Sequence, residues 1–424
     1  MNIGSTIALL IMTLSLLAPT RHQVWDFHKI RKIINVFLMV TIVLILVEYV
    51  NISFLPALMI GFAAYFIINI LFDPKGMLHT YYLNVLSIIA VIYTTFRGHG
   101  NFVLHFLKKH PQKTSLYMIE DDQEVLNYSG DTKRPLASML KLIIALTYAK
   151  QVSFKEINRN EKIKLIELNK FYFANTDGGA HLEWLKTIGD RTEVTLHEVA
   201  QGMITFSSNA NTEFLMKKLQ LHHINAVIQE LELMDHDKIT PLVAPLYMLN
   251  NQQNNGRFME DVKGRDLYDK EVLKVYEKLI TGKIDLKEKP FNLSIRQQKI
   301  WSDRLPASSA KTYAHLLNDI LNDRFSKRQN TILHNLLEWP MLLSEKNKEN
   351  FNHLGSKGGS TAFVYNNGIY SEGKDGKQIV TVLMTEDLSW WEWINLNLTM
   401  SDFESKLHNS AAFRTKVSQA LGAK

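Results

Sequence analysis

Ser138 and Lys141 stand three residues apart, and the residues after the serine, Met139 to Tyr148, read as a helix with a largely apolar face at Leu140, Ile143, Ile144 and Thr147. At that spacing the two side chains share one helix face. A lysine that is partly desolvated loses some of its preference for the charged form. Such an amine can take a hydroxyl proton and make a strong nucleophile of a weak one. Pro135 cannot sit inside a helix and biases Arg134 toward extended backbone, so Arg134-Pro135-Leu136-Ala137 reads as a loop delivering Ser138 to a first helical turn. The pair alone is a weak signal. The same spacing recurs at Ser308/Lys311 and Ser371/Lys374, and a serine at a helix start reads equally well as an N-cap.

Order adds weight. Phe206-Ser207-Ser208-Asn209-Ala210-Asn211 follows at the start of another helical run, and Gly355-Ser356-Lys357-Gly358-Gly359-Ser360-Thr361 comes later, ahead of strand-like sequence. Ser-x-x-Lys, Ser-x-Asn and Lys-x-Gly in this order resemble the signature of the penicillin-recognising serine enzymes, nearest the class A β-lactamase branch and its serine-hydrolase relatives. The resemblance covers about residues 100–424. It implies an α/β fold of the β-lactamase/transpeptidase type: a mixed, largely antiparallel sheet with flanking helices and a helical lobe, with the active site between them. Ser138, Lys141 and Ser207 would be catalytic. Ser138 would form the acyl-enzyme, Lys141 assist proton removal, and Ser207 relay a proton to the leaving group. Asn209, Lys357, Gly359 and Ser360 would bind substrate: Asn209 through an amide, Lys357 through a carboxylate, Gly359 by keeping the strand edge open. The N–H groups of Ser138 and Ser360 would form the oxyanion hole.

Three departures from that pattern stand out. Ser208 takes the place of the usual Asp, and Gly358 that of the usual Thr or Ser. Class A enzymes also carry a loop Glu that activates the deacylating water, yet Thr240–Leu249 contains no acid, and Asp235 and Asp237 precede the expected position. Deacylation of a β-lactam adduct is therefore expected to be slow.

These residues need a scaffold. Residues 98–113 read as a connector with a short helix, and Ser115–Ile119 and Glu124–Tyr128 as strands joined at Asp121-Asp122. Thr195 to Ala200 starts the helix leading to the second cluster. His197-Glu198 lacks the second histidine of a zinc protease, because position 201 is Gln. Asp235–Asn250 reads as a loop broken by Pro241 and Pro245, Asn250–Arg265 as a flexible excursion, and the segment between Asn209 and Lys357 as longer than in compact class A enzymes. Phe363–Tyr370 and Ile379–Met384 read as adjacent strands, and Phe403–Leu421 as one terminal amphipathic helix. The run Trp390-Trp391-Glu392-Trp393 is read mainly as packing, with a ligand platform or membrane-interface anchor as the other reading.

Residues 1–97 form a separate region. Ile3–Leu17, Ile33–Val47, Phe54–Phe72 and Tyr82–Tyr93 are apolar runs that imply three to four transmembrane helices; residues 98–424 form the hydrolase domain. Arg21, Lys29, Arg31 and Lys32 place the first loop in the cytoplasm, whereas Arg97, Lys108, Lys109 and Lys113 pull against an external domain. The envelope substrates implied by the resemblance favour a multi-pass protein of a bacterial cell membrane with its catalytic domain outside. The 424 residues carry a net charge of +6, too diffuse for a nucleic-acid binder. The absence of cysteine excludes disulfides and thiol chemistry. No metal and no cofactor are expected. The expected partners are a peptide, amide, ester or β-lactam substrate, the lipid bilayer and, for a sensor, a membrane partner protein.

Two functions from different classes follow. One is a membrane-anchored serine hydrolase acting on a cell-envelope amide or ester. The other is a non-catalytic or slowly deacylating penicillin-binding sensor that signals through its membrane helices. A three-span hydrolase facing the cytoplasm, resembling the serine-dependent glutaminases, is a further reading.

Overall fold

The structure is a computed structural model, which describes residues 36–42, 61, 100–250, 264–286 and 291–422. Almost all of the apolar N-terminal runs, and most of the 250–265 excursion, lie outside the described residues. Among the described residues no helix is long and apolar enough to cross a membrane. Chain contacts divide the protein into residues 1–103 with 397–403, and residues 104–396 with 404–424; the site lies wholly in the second unit.

Its centre is a five-stranded antiparallel sheet of β1 (Thr114–Glu120), β2 (Gln123–Tyr128), β7 (Phe351–Ser360), β8 (Tyr365–Gly373) and β9 (Gln378–Thr385). The strand order is β2-β1-β9-β8-β7, which leaves β7 at an edge. The β1–β2 hairpin turns on Asp121 and Asp122, with φ of 47° and 67°, the left-handed pair that matches the twist of the flanking strands. Two small ribbons complete the strands: β3 (Lys133–Pro135) with β6 (Ala307–Ser309), and β4 (Lys162–Lys164) with β5 (Glu193–Thr195).

The helices include α1 (Gly100–Lys109), α2 (Lys141–Ser153), α3 (Ala180–Ile188), α4 (Leu196–Thr205), α5 (Asn209–Leu219), α6 (Val243–Asn250), α7 (Ala310–Leu321), α8 (Lys327–Leu337), α9 (Trp390–Asn409) and α10 (Ala411–Leu421). Helix α2 is apolar nearly all round, and every residue from Lys141 to Ala149 is buried. Such a helix must be enclosed on all sides; α2 packs against α4, α5 and α8, while α7 covers the sheet at β1, β8 and β9.

Several expectations need correction. Val243–Asn250 is a helix rather than loop, because Pro245 falls in the first turn, where no intrahelical N–H donor is needed. The single terminal helix is two, since Ser410 ends α9 and caps α10 by accepting the Phe413 N–H. The strand after the third motif starts at Tyr365, later than Phe363. Within the tryptophan run Trp390 is 72% and Trp391 46% exposed, whereas Trp393 is half-buried.

Candidate active site

The turn before Ser138 is held from three sides. Arg134, 1% exposed, donates from Nε to Ser115 Oγ (2.8 Å) and from its terminal nitrogens to Thr114 O (2.9 Å) and Gln112 O (3.0 Å), and it pairs with Glu386. The Leu136 N–H donates to Pro306 O at 2.9 Å. Asn366 of β8 donates to Pro135 O (2.7 Å) and Leu136 O (3.3 Å), while its own Oδ1 accepts the Thr385 N–H (2.8 Å). These bonds hold Ala137 at φ 46°, a left-handed conformation costing an alanine about 1–2 kcal/mol. Ser138 then enters a 3₁₀ turn, Ala137–Leu140, that runs directly into α2. The cap position is Leu136 and has no side-chain cap bond, so Ser138 is not a capping serine. Its N–H lies in a first turn, where donors lack an intrahelical acceptor.

Lys141 is fully buried one turn further on. Its Nζ donates to Ser207 O (2.6 Å) and Asn209 Oδ1 (2.9 Å) and lies 3.1 Å from Ser207 Oγ. On the other side of that hydroxyl, Lys357 Nζ lies 3.1 Å away and also donates to Gly358 O at 2.9 Å. Ser207 therefore bridges two buried amines, at a left-handed φ of 65°. The capping role of the Ser-x-Asn segment falls on Ser208, which accepts the Asn211 N–H at 3.2 Å. That leaves Ser207 and Asn209 to face Lys141. Burial first, and then the Lys357 charge, push the Lys141 amine well below the ordinary lysine range; Asp177 and Glu213 act in the opposite direction. Burial lowers Lys357 to about 7.

Gly359 sits against the nucleophile's own backbone. A Cβ there would lie 2.5 Å from Leu136 O, 2.7 Å from Ser138 N and 2.8 Å from Met139 N. Edge strand β7 thus lies alongside the Ser138 N–H. Ser360 Oγ accepts from Trp393 Nε1 at 2.9 Å, which puts the tryptophan run at the end of β7. The structure brings Lys141, Ser207, Asn209 and Lys357 into one hydrogen-bonded group, with Ser138, Gly359 and Ser360 on the turn and strand beside it.

The competing Ser-x-x-Lys pairs are committed elsewhere. Ser308 bonds Asp235 and Lys311 pairs with Asp131; Ser371 bonds His408 and Lys374 bonds Asn352. His197 is a core histidine between Tyr148 Oη and Asn335 Oδ1.

Three residues with no motif to announce them also shape the site. Asn366 is one. Asp177 accepts the His181 and Asn209 N–H groups and so ties the loop before α3 to the start of α5. Glu213 lies one turn after Asn209, completely buried, and its Oε1 accepts the N–H groups of Leu242 and Val243 (2.7 Å for the latter). Its Oε2 has no hydrogen-bond partner among the described residues. Burial pushes this carboxyl up to about 7 against the lowering effect of the two N–H groups and Lys141. The acid-free stretch Thr240–Leu249, most of it α6, is therefore fastened at its start by an acid from α5. Asp235 and Asp237 fasten β6 instead, accepting the Ser309 N–H (3.0 Å) and the Ala307 N–H (3.0 Å).

A family model described as the Beta-lactamase enzyme family matches residues 101–421. Among solved structures the chain is similar to a class A β-lactamase from Bacteroides cellulosilyticus, at 14% identity and TM-score 0.46, over 77% of this chain and 98% of that one. It is similar to a β-lactamase from Sphaerobacter thermophilus at 16% identity and TM-score 0.48, over 76% and 97% of the two chains, and to PBP-A at 15% identity and TM-score 0.44, over 72% and 94%. No curated protein matches the chain. With the family model spanning the whole domain that holds the site, the chain belongs to the β-lactamase enzyme family and is a serine hydrolase of the β-lactamase and D,D-peptidase type.

Proposed function

We propose that Ser138 forms an acyl-enzyme on an amide or ester carbonyl, β-lactams included, with Lys141 as the base. The observation that carries this is the buried Lys141 amine and its three bonds to Ser207 O, Ser207 Oγ and Asn209 Oδ1. Two of those atoms are carbonyl oxygens, which only accept. A neutral amine satisfies both with its two protons and keeps a lone pair. At rest that lone pair faces Ser207 Oγ, and no hydrogen bond joins Lys141 to Ser138 Oγ among the described residues; with substrate bound, Ser138 Oγ approaches the amine, which takes its proton as the oxygen attacks the carbonyl carbon. The Ser138 and Ser360 N–H groups receive the charge that develops on the carbonyl oxygen. As the carbon–nitrogen or carbon–oxygen bond breaks, the leaving atom takes the Ser207 hydroxyl proton, and Ser207 regains one from the Lys141 ammonium. Asn209 binds a substrate amide. With its amine lowered to about 7, Lys357 gains a full charge when a substrate carboxylate arrives beside it. Water then attacks the acyl carbonyl carbon as Lys141 takes its proton; the ester bond to Ser138 breaks, Ser138 Oγ receives that proton from Lys141, and the acid product leaves.

The reading extends to a hydrolase anchored by membrane helices in residues 1–97 and facing a cell-envelope substrate outside a bacterial membrane. It is supported by the four apolar runs and the charged first loop. A reporter fused after residue 424 tests the placement, and cytoplasmic reporter activity would refute four spans. A second reading, a slowly deacylating penicillin-binding or sensing module, is favoured by one observation: Thr240–Leu249 has no acid, and the Glu213 oxygen that reaches it is engaged by backbone N–H groups.

Full-length protein incubated in parallel with a fluorescent penicillin and a fluorophosphonate, and followed by intact mass, separates these. A stable penicillin adduct absent in Ser138→Ala supports the sensor. Adduct with rapid drug consumption supports a β-lactamase, and fluorophosphonate labelling alone an esterase or amidase. Labelling retained in Ser138→Ala would overturn the assignment of the nucleophile.

A further inference from the structure

Away from the serine site, three side chains converge on one point. His334 lies on α8, Glu338 ends that helix, and His353 lies near the start of β7. Both histidines direct Nδ1 at the same carboxylate oxygen, Glu338 Oε1, at 2.6 Å and 2.7 Å. The imidazole rings are 4.9 Å apart. Two further groups complete the surroundings: Asp323 Oδ1 lies 3.1 Å from His334 Nε2, and Tyr370 Oη lies 3.4 Å from both His334 Nδ1 and Glu338 Oε1.

We propose that His334 Nδ1, Glu338 Oε1 and His353 Nδ1 bind a divalent transition-metal ion, with Zn²⁺ the best match. Two imidazoles and one carboxylate are a ligand set zinc accepts, leaving a fourth tetrahedral position for water. Asp323 supplies an independent argument. A histidine that ligates through Nδ1 must carry its proton on Nε2, and Asp323 accepts from that nitrogen. A carboxylate on the far nitrogen is the outer partner that orients metal-binding histidines. A dication also replaces the two bridging protons charge for charge. The two short N···O distances suit bridging protons, whereas zinc bonds of about 2.1 Å place ligand atoms about 3.4 Å apart; loading therefore lengthens those two N···O separations by about 0.7 Å. The side chains of His334, Glu338 and His353 are 15%, 18% and 40% exposed, so the point is enclosed on one side and open on the other. Linear spacing concealed the set, because the third ligand comes from a strand that only the fold brings to the end of α8. A bound ion would pin α8, which packs on α2 behind Lys141, to the strand that carries Lys357.

The test uses the full-length chain, stripped with a chelator and dialysed against Zn²⁺, with bound metal measured by elemental mass spectrometry and the melting temperature read in parallel. The expected result is one Zn²⁺ per chain at micromolar free metal and a raised melting temperature. His353→Ala should bind at least 100-fold more weakly. Asp323→Asn, at a side chain 68% exposed and so no threat to folding, should weaken binding about 10- to 100-fold. Absence of stoichiometric zinc at 100-fold higher free metal, or equal binding by wild type and both variants, would overturn the site.

Discussion

Gly359→Ala is the sharpest test of how β7 and the Ser138 turn fit together. The new methyl group would stand 2.5 Å from Leu136 O, 2.7 Å from Ser138 N and 2.8 Å from Met139 N, all inside the 3.0 Å that side-chain carbons essentially never breach. All three atoms are backbone, and the turn is fastened by Asn366, Arg134 and Pro306, so no flexible side chain can yield. Strand and turn must part by at least about 0.5 Å. Overpacking of this kind costs about 1–3 kcal/mol, and a misplacement near 1 Å at a reacting group costs about 100-fold in rate. The expected result is a folded protein whose acylation is slowed roughly 10- to 100-fold. Gly358→Ala is the internal control, because its methyl meets Asn367 Oδ1 at 3.1 Å and Asn366 O at 3.3 Å, a far milder conflict. The assay is the rate of mass adduct formation with whichever probe acylates the wild type, alongside circular-dichroism melts. Wild-type acylation by Gly359→Ala, or equal impairment of both variants, would refute the reasoning.

Three further outcomes are expected. Above about pH 7 Lys357 loses its proton, so kcat/KM for a carboxylate-bearing substrate should fall about tenfold per pH unit there; Lys357→Met should abolish that dependence. Glu213 keeps its proton up to about 7 in the folded protein and releases it near 4.5 when unfolded, so its burial destabilises the fold increasingly from pH 4.5 to 7, by about 3 kcal/mol at the plateau. Glu213→Gln should flatten that part of the melting-temperature profile, and an unchanged profile would show that Glu213 is not the titrating group. Asp235→Asn should lower the melting temperature by a few degrees, because it weakens the bonds to Ser309 and Thr312, while leaving the deacylation rate unaltered; a slowed rate would make Asp235 the missing base.

Local chemistry was legible wherever it is local in the chain. The hairpin around Asp121-Asp122 depends on neighbours in sequence, as do the helix start at Thr195 and the helix after Ser138. Pro245 was not legible as a first-turn residue, because a proline's meaning changes with its place in a helix, and here the backbone just before it, at Leu242 and Val243, is held by the sequence-distant Glu213. How far each tryptophan of the 390–393 run is exposed was not legible, because exposure is a property of the assembled surface.

By itself the sequence determined the three motifs, their order, the family they belong to and the helices into which the first two lead, since each motif spans only a few residues and turn or helix propensity acts over the same distance; strand β7, which carries the third, needs its pairing with β8. Tertiary structure alone decided how deeply the two amines beside Ser207 are buried, that Asn366 holds the Ser138 turn, and that Glu213 fastens the acid-free stretch at its start. Each of these depends on groups distant in sequence being desolvated together, and burial, which shifts the lysines and the carboxyl from their ordinary ionisation, exists only once the lobe and the sheet have closed around them.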